Sequence, residues 1–360
     1  HTVMAPATDA SEDGQIDCGG IAIPGSGGYR FVVHRQRATQ AMIHAAPDII
    51  ESADPYVLAW ASLSAARTLD IPAVAFAHSN LPALAARLIG GANGQSLRLG
   101  RWAARRARDY LVDLYRRFDA VLAPSENLAS QLRQWGVPRV SVQPLGVDCS
   151  VFRPAARDAA WREDLCAELG LSRKTRLFVY TGRFAPEKNL PLLADAVTRL
   201  GPGHALLMIG SGPISIAGPR IFQLGTERNA RRLARAIASC DAYVHAGDQE
   251  TFGLGVLEAM ACGVPVVTHA AGGTGELAHR VGVTVSRSGT QAWADALHAG
   301  LSGAARSLTD EALMRAKAHD WPLVLAQMTR RYRLLMQRHA LGRRTTHFAP
   351  EGLEAVARVA

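Results

Sequence analysis

Glu250-Thr251-Phe252-Gly253-Leu254-Gly255-Val256-Leu257-Glu258 joins two carboxylates, a glycine-loosened turn and a helix start in nine residues. It follows Ala242-Tyr243-Val244-His245, a short apolar run with the composition of a buried strand. A helix opening near Gly253 would aim unpaired N–H groups and the positive end of its dipole above the sheet, which makes a seat for phosphate. The spacing sets Glu258 about two turns into that helix and leaves Glu250 in the loop before it. A loop carboxylate can accept hydrogen bonds from sugar hydroxyls, and a helix carboxylate can hold the two hydroxyls of a ribose. Two glutamates at this separation are also common on a solvated helix face. The residues that follow, Ala259-Met260-Ala261-Cys262-Gly263-Val264-Pro265-Val266-Val267, favour the first reading. They have the pattern of a tightly packed helix, a Gly-Val-Pro turn and another buried parallel strand, which puts Glu258 inside an α/β layer.

Residues 241–267 resemble the donor-site signature of retaining glycosyltransferase family 4, whose members have the GT-B fold. The resemblance implies an α/β protein with two Rossmann-like, doubly wound parallel-sheet domains facing a central cleft. It also implies a hexosyltransferase that uses a nucleotide sugar.

Composition agrees. The 360 residues suffice for two α/β domains, and a hydrophobic content of 48% suffices for two cores. No window approaches 18 uninterrupted apolar residues and nothing resembles a signal peptide, so the expected location is cytoplasmic. Five scattered cysteines, without a C-x-x-C pair, read as buried free thiols. The chain opens on His1-Thr2-Val3-Met4-Ala5-Pro6, a strand already under way. In the family a first strand and a glycine-rich acceptor loop precede such a segment, so the sequence is expected to be a fragment. Since the first strand of a doubly wound sheet is central, that fragment should leave a slot in its first sheet, bind nucleotide and transfer sugar poorly. Gly25-Ser26-Gly27-Gly28 follows Pro24 and reads as a hairpin or loop.

Short apolar runs at 73–77 and 120–123, separated by helical stretches, give a βαβ alternation that continues to about Val142. Pro144-Leu145-Gly146-Val147-Asp148 breaks it, and the family carries a similar crossing between domains. A second series starts at 176–180 and repeats at 205–209, 220–223, 242–245 and 264–268, five strands in all. Apolar residues at helical spacing through 321–341 match the long helix that in GT-B proteins returns to the first domain. The expected organisation is an acceptor-binding domain at 1–143, a linker at 144–154 and a donor-binding domain at 155–322. The return helix takes 323–341, and 342–360 form a peripheral tail.

A second constellation, Thr181-Gly182-Arg183-Phe184-Ala185-Pro186-Glu187-Lys188-Asn189, follows a strand directly. Gly182 lets the backbone turn where open α/β sheets bind ligands, and Arg183 and Lys188 supply cations for a departing diphosphate. Gly210 either brings backbone close to the donor or makes a plain turn. The glycine-rich run 271–276 is another loop whose N–H groups could face phosphate. His78 ends a strand of the first domain, where the family has a histidine near the reaction centre; capping the next helix is its structural alternative. His245 stands where the family often has serine, and its role stays open. The resemblance thus implies His78, Glu250, Arg183 and Lys188 as catalytic residues. The donor would contact Gly182, Arg183, Lys188, Gly210, Glu250, Phe252, Gly253, Leu254, Gly255 and Glu258.

The absence of a D-x-D motif predicts metal-independent catalysis with no cofactor beyond a GDP- or UDP-linked sugar. The implied mechanism is front-face attack with retention, the departing phosphate oxygen taking the acceptor proton. The favoured reaction moves mannose to a hydroxyl of a glycolipid or cell-envelope glycan precursor. A sugar-nucleotide epimerase and an idle nucleotide-sugar binding protein are the alternatives. The formal charge of +9 is concentrated on residues 98–117, where arginines surround Trp102, Leu111 and Leu114. That helix suits an anionic membrane surface at the inner face of the cell membrane, or a plain solvated face. No aromatic stacking pattern accompanies the charge, so nucleic acid is not an expected partner.

Overall fold

The computed structural model describes residues 2–6, 15–22, 30–90, 97–287 and 289–347, so the glycine-rich run 25–28 and residues 348–360 of the expected tail lie outside the described residues. Strand β1 (Val3–Ala5) pairs in parallel with β2 (Gln15–Asp17) as a sheet of its own, and β3 (Ile21–Ala22) pairs antiparallel with β4 (Arg30–Phe31). The chain then alternates through α1 (Arg35–His44), β5 (Ile50–Ser52), α2 (Val57–Leu69) and β6 (Ala73–Phe76). Next come α3 (Leu81–Gly90), α4 (Leu97–Tyr115), β7 (Ala120–Ala123), α5 (Glu126–Gln134) and β8 (Val140–Val142).

Strands β5, β6, β7 and β8 form a parallel sheet in that order. Strands β6 and β7 are buried at every residue, which is why they read as unbroken apolar runs. Their side chains still alternate. Ala73, Ala75, Val121 and Ala123 join the core built with α2 and α4, while Val74, Phe76, Ala120 and Leu122 face the other way.

The second half runs through α6 (Ala159–Glu168), β9 (Arg176–Thr181), α7 (Leu190–Arg199), β10 (His204–Ile209) and β11 (Ile221–Gln223). It continues with α8 (Ala230–Ala238), β12 (Ala242–His245), α9 (Leu254–Ala261), β13 (Val266–His269), α10 (Gly272–Ala278) and β14 (Val283–Val285). The helices α11 (Thr290–Gly300), α12 (Gly303–Ser307), α13 (Thr309–Ala318) and α14 (Trp321–His347) complete it. The parallel sheet has the order β11-β10-β9-β12-β13-β14, so its winding reverses between β9 and β12. The crevice outside their carboxyl ends is where such sheets hold ligands. The sixth strand, β14, corrects the expectation of five; its three residues are interrupted by the exposed Thr284, so no apolar run marks it.

Away from the crevice, the second half is tied to the first at the crossing and along α14. Val147 and Trp321 are joined at the crossing: Val147 N–H donates to the His319 carbonyl and Trp321 N–H to the Val147 carbonyl, at 2.9 and 3.1 Å. A Cβ on Gly146 would lie 2.6 Å from the Trp321 ring, so only glycine fits there. Met328, Tyr332 and Leu335 of α14 then cover the outer apolar face of β6 and β7. The helix runs on to His347, past the point where a peripheral tail was expected.

Candidate active site

At the end of β9 the chain turns at Gly182 (φ +137°), passes a short 3₁₀ turn at Pro186–Lys188 and enters α7 from Asn189, itself left-handed at φ 51°. The Asn189 side-chain amide donates to the Ala246 carbonyl at 3.0 Å, which fastens this loop to the one leaving β12. Lys188 is thereby set against Glu250, and the two form a short ion pair. Arg183 pairs with Glu187 at 2.8 Å. The other Glu187 oxygen takes Arg87 of α3 at 3.1 Å, so one carboxylate bridges the two halves.

His245 closes β12 and is buried. Its Nδ1 accepts the Gly247 N–H at 3.2 Å, so the ring proton sits on Nε2, 3.5 Å from a Glu250 oxygen. Burial pushes the His245 pKa down to about 4, which keeps the ring neutral near pH 7. Burial also opposes the charge on Glu250, but the Lys188 ion pair and the Arg183 charge, with the His245 ring beside it, more than offset it and hold the carboxyl below its ordinary range. Glu250 is therefore an ionised acceptor at the mouth of the crevice.

Helix α9 starts beside it at Leu254, with Gly253 left-handed at φ 112°. A Cβ on Gly253 would lie 2.5 Å from Thr274 Cγ2, and one on Gly255 would lie 2.2 Å from Tyr243 Oη and 2.7 Å from Thr181 Oγ1. Gly255 thus lets the helix start press directly on β9 and β12, and Gly253 lets the turn before it meet α10. Glu258 is the fifth helical residue, about 1.4 turns in rather than two. Desolvation raises its pKa to about 7. Leu254 is exposed at the helix mouth, whereas Phe252 is buried in the core against His319, so its ring anchors the loop and does not face the crevice.

Two glycine segments make close contacts within the protein. A Cβ on Gly210 would lie 1.9 Å from the Gly182 carbonyl oxygen; Gly210 lets the loops after β9 and β10 touch. In the run 271–276, whose N–H groups could face phosphate, the Gly273 N–H donates instead to the Glu250 carbonyl at 2.7 Å.

From the first half, His78 follows β6 with its ring stacked on Phe76, centroids 4.2 Å apart, and burial lowers its pKa. Its carbonyl accepts the Thr251 hydroxyl at 2.9 Å, while the Thr251 carbonyl accepts the Ser125 hydroxyl at 2.7 Å. The Glu276 carboxylate accepts the N–H groups of Glu126 and Asn127 at 2.9 and 2.7 Å, capping the positive end of α5. Thr251, Ser125, Arg87 and Glu276 are thus part of the site's frame, although no spacing in the sequence marks them. Thr251 alone carried a signal, lying inside the decisive segment.

This is the architecture of a nucleotide-sugar transferase, and comparison with known proteins agrees. Residues 1–151 match the family described as Glycosyltransferase Family 4, and residues 175–302 match Glycosyl transferases group 1. A GDP-mannose-dependent alpha-mannosyltransferase of Mycolicibacterium smegmatis is 32% identical over 310 residues, covering 82% of this chain and 76% of that protein. A protein of the same name from Mycobacterium tuberculosis is 31% identical over 320 residues, covering 84% and 76%. Sucrose-phosphate synthase from Thermosynechococcus elongatus superposes with a TM-score of 0.69 at 21% identity, covering 94% of this chain and 88% of that one. Anabaena HepE in complex with UDP and glucose gives 0.66 at 19% identity, covering 82% and 80%. The chain belongs to glycosyltransferase family 4 and is a glycosyltransferase of GT-B fold.

Proposed function

We propose that this chain transfers mannose from GDP-mannose, with UDP-sugars the nearest alternative donors, to a hydroxyl of a glycolipid or cell-envelope glycan precursor at the cytoplasmic side of the membrane. The observation that carries the reading is the Lys188–Glu250–His245 cluster at the point where the second sheet reverses its winding. The relatives named as GDP-mannose-dependent mannosyltransferases support the choice of donor.

In this reading the diphosphate lies against the first turn of α9, Arg183 and Lys188. An ammonium has three N–H donors, so Lys188 can hold Glu250 and a phosphate oxygen together. Those charges stabilise the leaving group without calling on a metal ion. Glu258 holds the ribose hydroxyls and Glu250 the hydroxyls of the sugar. The acceptor hydroxyl attacks the anomeric carbon from the face the diphosphate leaves. A carbon–oxygen bond forms as the glycosyl–phosphate bond breaks, and the acceptor proton passes to the departing phosphate oxygen. His78 flanks the sugar from the other half.

Thermal stabilisation by a panel of nucleotide sugars tests the donor, with GDP-mannose expected to shift the melting temperature most. A larger shift with a UDP-sugar would reassign the base, and no shift with any donor would remove the site. Donor consumption should require acceptor, and NMR of the product should show the anomeric configuration retained. An inverted product rules out front-face displacement, and turnover without acceptor points to an epimerase.

A further inference from the structure

A cavity of about 320 Å³ opens at the amino-terminal ends of β9, β12 and β13, the end of the second sheet away from the crevice. Arg176 opens β9, Asp241 directly precedes β12, and Val264 and Pro265 precede β13. At about 3.3 Å per residue, β9 sets this cavity roughly 20 Å from the turn at Gly182. The buried Cys240 and Val264 form its floor, and Arg157, Arg176, Arg306 and Thr309 line it further. Its volume lies at the low end of the range for small-molecule sites.

The charges around it do not balance. Asp241 is the one carboxylate among the described residues that line the cavity, and it is fully used. It accepts Arg162 at 2.7 Å, Arg176 at 3.0 Å and the Leu177 N–H at 2.9 Å. Arg157 and Arg306 are exposed and form no ion pair or side-chain hydrogen bond among the described residues. Nearby acids do not serve them: Asp158 accepts the Trp161 N–H at 2.9 Å and has its other oxygen 3.8 Å from Arg235, and Asp310 and Glu311 form no ion pair among the described residues. Helix ends do not call for them either. Arg162 takes the Ser239 carbonyl after α8 at 2.6 Å, and the Ala259 and Met260 carbonyls of α9 accept the N–H groups of Val264 and Gly263 at 3.1 and 3.0 Å. Three guanidinium groups against one carboxylate thus leave the lining with two positive charges in excess.

An apolar ligand would strip water from those charges and return nothing. A phosphate monoester carries about −1.5 to −2 near pH 7 and presents three oxygens to planar guanidinium forks. Thr309 Oγ1 donates to the Arg306 carbonyl at 2.7 Å and keeps its lone pairs for a ligand hydroxyl. We propose that this cavity is a second anion site, which binds the phosphate monoester of a small polyhydroxylated molecule apart from the donor crevice. Arg157 follows the crossing into the second half, and Arg306 and Thr309 precede α13, which leads back to that crossing at His319. A phosphate held by Arg157 and Arg306 together clamps the entry of the chain to its exit.

The test is calorimetric titration of the full chain with glycerol 3-phosphate at constant ionic strength, with saturating GDP filling the donor crevice. Binding of one molecule per chain is expected, tighter than that of inorganic phosphate or succinate. Arg157→Gln and Arg306→Gln should each weaken it roughly tenfold or more, because each removes a charge-assisted hydrogen bond. Since neither side chain has a partner to lose, melting temperatures without phosphate should not fall. Absence of binding in the presence of GDP, or equal binding by the parent and the Arg157→Gln/Arg306→Gln double variant, overturns the site. Inorganic phosphate or succinate binding as tightly as glycerol 3-phosphate overturns the class of ligand. The donor reading stands apart from this one. If GDP itself does not bind, that reading fails, while loss of glycerol 3-phosphate binding in the double variant still upholds the cavity.

Discussion

Glu258 lies in a desolvated position that forms no ion pair among the described residues, and its carboxyl titrates near pH 7 instead of in the acid range. A carboxyl whose folded pKa is raised binds its proton more tightly in the fold, so stability falls as pH rises from the ordinary carboxyl range through about 7. Glu258→Gln should therefore melt higher than the parent at pH 8, by roughly 1 to 3 kcal/mol, and match it near pH 4. The same variant should lose nucleotide affinity, because hydroxyls donating to the carboxylate favour its charged form. The affinity gap between parent and variant should then widen as pH rises through 7. A gap independent of pH would remove Glu258 from the ribose. Lys188 and Glu250 present the opposite case, a pair that satisfies itself. Lys188→Met should cost roughly 3 kcal/mol by leaving a buried carboxylate uncompensated. Adding Glu250→Gln should recover most of that stability while transfer stays lost, and denaturant melts of the four proteins in the cycle measure the coupling.

At the level of elements, the α9 start is held by a contact only glycine permits. Gly255→Ala would drive a methyl group into Tyr243 Oη and Thr181 Oγ1, overpacking that should destabilise by about 1 to 3 kcal/mol. Tyr243→Phe removes the hydroxyl that shares a 3.1 Å hydrogen bond with Thr181, so the double variant should be less unstable than the two single effects added. Strict additivity in urea unfolding would show that the helix moves away instead. This contact also explains what could be read in advance. The signature 250–258 was legible because its information is local: a glycine-loosened turn, a helix start and a following buried strand. The full burial of β6, β7 and β12 was legible for the same reason, as unbroken apolar runs. β14 was not, its three residues being broken by the exposed Thr284, and neither were the contacts that Gly210 and Gly273 make with backbone remote in sequence. Arg87 and Glu276 were invisible because an exposed charge on a helix looks the same whether or not a second domain meets it.

In the whole molecule, the two sheets meet through groups that belong to the site. Thr251 sits between Glu250 and the buried Phe252, and its hydroxyl and carbonyl both bond to the first half, at His78 and Ser125. The loop that carries the charged carboxylate is therefore indexed against the half that carries His78. Thr251→Val keeps the shape and removes the hydroxyl donor, so one interdomain hydrogen bond is lost without disturbing the Lys188 pair. A neutral hydrogen bond is worth about 0.5 to 1.5 kcal/mol net, which predicts a fall of roughly 2- to 12-fold in kcat/KM if the alignment it holds is needed in the transition state. GDP affinity should change little, since Arg183, Lys188, Glu258 and the first turn of α9 all lie in the second half. Steady-state transfer and GDP titration on the same preparation make the comparison. A loss of GDP affinity equal to the loss in transfer would show that Thr251 supports the donor half alone, and unchanged transfer would show that the halves are aligned by Arg87–Glu187 and the Glu276 cap without it.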